Sequence, residues 1–116
     1  MLALSSLSLA PAIFAHHSFA ADYSASPITL NGTIVRFVWM NPHTRIDLDV
    51  TDANGKVARW SCEGNAPGGL LNNGWSRSSL KPGDRVQLYG FPAKDRSNGC
   101  KTRTVTLANG RRLQMD

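Results

Sequence analysis

The sequence predicts a mainly β domain, a small five-stranded OB-like Greek-key barrel with a short helix between its third and fourth strands. Three observations lead there: five short runs rich in alternating or β-branched residues, glycine-bearing turns around them, and a helix-compatible stretch after the third run. An SH3-like barrel or a β-sandwich is the alternative, because strand order cannot be read from one sequence.

Residues 1–15 carry no charge and are dominated by Leu, Ala and Ser. They are too short to cross a bilayer, which takes about 20 apolar residues, and they suit the apolar region of an export signal. The segment is therefore read as a signal peptide, with cleavage after Ala15 or after Ala12. No Lys or Arg precedes the apolar stretch, which suggests that the natural start lies upstream of Met1. A buried N-terminal helix is the competing reading.

Residues 16–27 read as an extended lead-in, and residues 28–116 as the barrel. The first strand, residues 28–39, is rich in β-branched and aromatic residues, and its alternation slips at residues 32–35, where a bulge or kink is expected. The second strand alternates cleanly, with Ile46, Leu48 and Val50 on one face and Arg45, Asp47 and Asp49 on the other. Asp52-Ala53-Asn54-Gly55 supplies a hairpin in which Asn54 and Gly55 are both expected at positive φ. The third strand, residues 57–63, turns Ala58, Trp60 and Cys62 inward.

Residues 64–83 break the alternation, and Leu70, Leu71 and Trp75 fall at helical spacing. Lys81-Pro82-Gly83-Asp84 is a tight turn. It leads to a fourth strand over residues 85–91, whose Val86, Leu88 and Gly90 alternate with Arg85, Gln87 and Tyr89. A polar loop over residues 93–99 precedes a fifth strand over residues 100–107, and Asn109-Gly110 folds the tail back as a hairpin.

A chain of 116 residues, 41% apolar and 18% charged, has the size and composition of one globular domain. Its net charge of +5 favours acidic partners, or serves solubility alone. The two cysteines, Cys62 and Cys100, have no CxxC spacing, so a zinc site on them would lack local partners. An oxidising compartment would permit a disulfide between them. The OB arrangement sets the third strand beside the fifth and brings the two within bridging range; two separate thiols are the alternative.

Two candidate sites emerge. If cleavage frees the amine of His16, that amine, His16, His17 and His43 could supply nitrogen ligands to Cu(II). The plainer alternative is a frayed terminus and a histidine beside a proline-stiffened turn. The second candidate is the surface an OB barrel uses for binding, which here carries Trp39, Asn41, Arg45, Arg59, Tyr89, Lys94 and Arg96. Basic plus aromatic residues outside the cytoplasm suit an anionic glycan, a lipid head group or another envelope protein; nucleic acid is not expected, nor is a transmembrane segment in the mature chain. A solvated basic face is the bland reading, and Asp47 and Asp49 would neutralise part of it.

No Gly-x-Ser-x-Gly elbow, phosphate-binding glycine loop or His-Glu-x-x-His occurs. The expected function is thus a non-enzymatic binding or interaction module, periplasmic or secreted. A periplasmic copper-binding protein comes second and an enzyme third.

Taken together, His16-His17-Ser18-Phe19, Trp39-Met40-Asn41-Pro42-His43, Gly74-Trp75-Ser76-Arg77 and Leu80-Lys81-Pro82-Gly83-Asp84 resemble an uncharacterised family of small exported bacterial proteins. Its members have a signal peptide, a mature start near His-His-Ser-Phe and an Asn-Pro-His motif. The resemblance implies an envelope location and no particular activity. Cys62 stands where a larger apolar or aromatic residue is usual, and Cys100 is a second departure, so a bridge between them would be peculiar to this member.

Overall fold

Residues 19–116 are described by a computed structural model. The proposed signal peptide, both of its cleavage sites, and His16 and His17 lie outside the described residues.

A single helical turn, α1 (Phe19–Asp22), opens the described chain, followed by β1 (Ile28–Val38), β2 (Arg45–Thr51) and β3 (Val57–Glu63). A short helix α2 (Pro67–Leu71) leads to β4 (Arg85–Pro92), β5 (Gly99–Leu107) and β6 (Arg112–Gln114). The lead-in is therefore not extended throughout. Ala20 and Ala21, the residue type with the highest helix propensity, sit in its helical turn.

β1 pairs antiparallel with β2 on one side and β4 on the other, β2 pairs with β3, and β4 with β5. A parallel pairing of β3 with β5 closes these five strands into the expected OB-like barrel, and β6 is an additional strand on the edge of β5. The closing pairing covers Ser61, Cys62 and Glu63 of β3, which shortens the exposed sheet edge and limits edge-to-edge association.

The predicted irregularity in β1 is a register shift between Ile34 and Arg36 against β2. It lets one strand serve two neighbours: residues 28–33 pair with β4, while residues 32–38 pair with β2.

The first hairpin differs from expectation. Only Gly55 has positive φ, at 80°. Asp52 explains why: its carboxylate accepts the backbone N–H groups of Asn54 and Lys56, each at 2.9 Å, and its carbonyl accepts that of Gly55 at 3.0 Å. These bonds hold a right-handed turn, so Asn54 stays out of the left-handed region and Gly55 alone enters it. The turn at Asn109-Gly110 shares the backbone pattern, with the N–H of Gly110 donating to the carbonyl of Leu107 at 2.9 Å and Gly110 at φ 87°, while here the Asn109 side chain accepts the N–H of Arg111.

Inward side chains from every strand fill the barrel: Leu30 and Ile34, Ile46 and Leu48, Cys62, Val86 and Leu88, Val105 and Leu113. Each fully buried aliphatic side chain contributes about 1.5–3 kcal/mol. Leu70, Trp75 and Leu80, from the connection between β3 and β4, join the same core. Trp75 stacks near Phe37, with ring centroids 5.6 Å apart, and its indole N–H donates to the carbonyl of Gln114 at 2.7 Å. The connection is thereby tied to both β1 and β6.

Candidate ligand cleft at the barrel mouth

The outer face of β2 and β3 is where sequence reasoning sought a basic surface, and the strands lay it out as alternating charges. Arg45 Nε donates to Asp47 at 3.1 Å, and Arg59 Nε to Asp49 at 2.6 Å. Asp47 also accepts from Arg36 at 3.2 Å and from the hydroxyl of Ser61 at 2.9 Å. Burial works to raise the Asp47 pKa, but the hydrogen bonds from Ser61, Arg45 and Arg36 outweigh it and hold the carboxyl below its ordinary value. Arg45 and Arg59 are therefore already matched by acids of their own sheet.

At one edge of this face the lead-in folds back over the β4–β5 loop. Tyr23 bridges Ala93, the N–H of Ser24 donates to Pro92 at 2.9 Å, and the N–H of Lys94 donates to the carbonyl of Asp22 at 2.9 Å. The Lys94 ammonium bonds the carbonyl of Ala20. The result is a cleft of about 650 Å³ lined by Asp22 and Tyr23 from the lead-in, Arg45 from β2, Ser61 and Glu63 from β3, and Lys94 from the loop.

Tyr23 hydrogen bonds to Glu63 across the cleft wall. Burial, then the charge and hydrogen bond of Glu63, push the phenol up to about 12, with smaller contributions from Asp22 and Asp95. Beside Glu63 in register is Lys101, half-buried, whose ammonium donates to Asn65 Oδ1 at 3.1 Å. Burial lowers its pKa, opposed by Glu63 and Asp116. The cleft thus presents protonated phenol, carboxylate, guanidinium and hydroxyl groups on a framework fixed by backbone pairing.

Of the surface residues read from sequence, Arg45 and Lys94 meet in this cleft. Arg96 is exposed in the β4–β5 loop, with φ 63°. Arg59 is taken up by Asp49, and Asn41 is exposed before a cis peptide bond to Pro42. Trp39 is half-buried, packing edge-on to Phe37 with centroids 5.7 Å apart. Tyr89 belongs to another face, on the outside of β4, where it packs against Phe91 and lines a depression with Arg103 and Arg112. The predicted surface is split between separate places on the barrel.

His43 is exposed in the β1–β2 connection, while its two proposed companions lie outside the described residues. Among the described residues no group of three or more His, Cys, Asp or Glu side chains is gathered to hold a metal. Cys62 and Cys100 form a disulfide, as the OB reading allowed.

Sequence reasoning missed Tyr23, Ser61 and Lys101, and left Glu63 without a partner. Tyr23 is one of two aromatic residues in the lead-in, the other being Phe19, a signal that the segment docks, but nothing local says where. Chemically, the cleft offers donors and acceptors in close alternation. Ser61 donates to a carboxylate whose depressed pKa makes it a weak base, an arrangement suited to holding a hydroxyl in place rather than activating it.

Among the described residues no helix is long and apolar enough to cross a membrane. Comparison with curated proteins and comparison with solved structures each return no match. The model of a family of unknown function, DUF6152, matches residues 4–102, which is most of the chain, and the protein belongs to that family.

Proposed function

We propose that this protein is an exported, non-enzymatic binding module of the bacterial envelope, and that its ligand is a hydroxyl-rich molecule such as a glycan segment held in the barrel-mouth cleft. The carrying observation is the cleft's position and lining: about 650 Å³ between the β2–β3 face and the β4–β5 loop, with Arg45 and Lys94 set against Asp22, Glu63 and Asp95. OB barrels bind ligands in this region. Acids and bases in near balance favour a ligand that offers many hydroxyls and little net charge.

Export is supported by the apolar leader in the sequence and by the Cys62–Cys100 disulfide, a bond that persists in oxidising compartments. The near balance of charge around the cleft is reinforced on the neighbouring strands, where Asp47 pairs with Arg45 and Asp49 with Arg59.

The test is a titration of the labelled protein with a panel of neutral oligosaccharides, followed by amide chemical shifts. Saturable shifts confined to Asp22, Tyr23, Ser61, Glu63 and Lys94, abolished by Ser97→Trp at the cleft wall, support the reading. A panel that leaves those amides unmoved, or moves only residues elsewhere on the barrel, removes it.

A further inference from the structure

The positive charge that the β2–β3 face neutralises reappears on the opposite side of the sheet. Four strands, β1, β4, β5 and β6, lie side by side there, and their outward residues form two rows. One row runs Thr29, Tyr89, Thr104, Gln114, and the other Asn31, Gln87, Thr106, Arg112, each set by the observed register. Neighbouring strands are about 4.8 Å apart, so each row is a line of evenly spaced hydroxyl, amide and guanidinium groups.

A depression of about 330 Å³ sits on this surface, lined by Thr29, Gln87, Tyr89, Thr104, Thr106, Arg103 and Arg112, with no carboxylate in its lining. Arg112 has no ion pair among the described residues, and Arg103 has a loose, half-exposed one with Asp116 at 3.6 Å. Tyr89 is 37% exposed, a large ring held in water on a polar face. Guanidinium groups bind carboxylates through paired hydrogen bonds, and a tyrosine ring flanked by threonines offers a sugar both a flat face and hydroxyl partners.

We propose that this face is a second binding site, for an acidic polysaccharide whose sugars carry carboxylates. Arg103 and Arg112 take two carboxylates, and Tyr89 packs under the sugar ring between them. An anionic membrane is the weaker occupant, because a lipid surface rewards apolar side chains that insert, and the rows carry none besides Tyr89. The site is separate from the barrel-mouth cleft and stands or falls independently of it.

The test uses the full chain and a short oligouronate, with a neutral oligosaccharide of equal length and vesicles of equal parts phosphatidylglycerol and phosphatidylcholine alongside. The oligouronate is expected to shift the amides of Tyr89, Thr104, Thr106 and Arg112, and added salt to weaken it. Arg103→Glu and Arg112→Glu are each expected to lower its affinity about tenfold with unchanged thermal melting, while Lys56→Glu, on the β2–β3 hairpin, leaves it intact. Failure to bind the oligouronate, equal affinity in the charge-reversed variants, shifts confined to the cleft, or tighter binding to the vesicles would each overturn the proposal.

Discussion

Cys62 and Cys100 face each other across β3 and β5, the parallel pair that closes the barrel, with Cα atoms 4.4 Å apart and sulfurs joined. The bond fastens the seam where the sheet meets itself. Parallel pairing needs a long connection, and here the 38-residue separation contains α2, β4 and the loops around them.

Opening that seam should be costly. For a loop of this length the chain-entropy model assigns the bridge about 3–4 kcal/mol. The double variant Cys62→Ala/Cys100→Ala is expected to lose stability of that order in urea unfolding, and reductant should lower the wild-type midpoint while leaving the variant unchanged. A reductant-insensitive wild type would show the seam to hold without it.

Tyr23 should titrate late. Its phenol is raised from its ordinary value to about 12 by burial and by Glu63, so the folded state resists its ionisation. A group raised on folding favours the folded state fully below its unfolded pKa of about 10, and that advantage is lost as pH climbs through the folded value. Phenolate absorbance should therefore show a step near pH 12 in the native protein. Tyr23→Phe removes the step, and Glu63→Gln shifts it downward.

Asp47 should govern part of the acid limb. Its pKa is depressed, so its stabilising contribution is complete above the ordinary carboxylate range and drains away as pH falls through the folded value. Asp47→Asn is expected to lose roughly 1 kcal/mol at neutral pH, discounted for partial exposure, and to flatten the decline in stability below about pH 4. Urea midpoints measured across that range distinguish the two proteins.

Gly90 should tolerate no side chain. It lies at the register shift between β4 and β5, where an added Cβ would run into the carbonyl of Lys101 and stand 3.2 Å from the Cα of Thr102. Backbone cannot step aside as a side-chain tip can, so Gly90→Ala is expected to destabilise by about 1–3 kcal/mol. Thermal melting checks it, with Gly68→Ala, which meets open space, as the comparison.

Much of the barrel was legible in advance because alternation is a local signal. Ile46, Leu48, Val86 and Leu88 point inward because successive strand residues face opposite ways, whatever the strand pairs with. The slip near Gly32 foretold the bulge in β1, and Asn109-Gly110 foretold the turn to β6. Asn54 was misread because its φ is set by the Asp52 carboxylate, a competitor that the Asn-Gly pair does not reveal.

The candidate sites were legible only in fragments. Arg45 and Lys94 are 49 residues apart in number, and the cleft exists because the lead-in crosses the β4–β5 loop and sets Tyr23 against Glu63. Arg103 and Arg112 look like ordinary surface charges until the folded sheet sets them around one depression with Tyr89. The chain's own order of residues determined which side chains are buried and where the strands bend, through preferences acting over a few neighbours. Only the closed sheet decided which distant charges cancel and which stay exposed, because ion pairing falls off over a few ångströms and depends on strands brought together by folding.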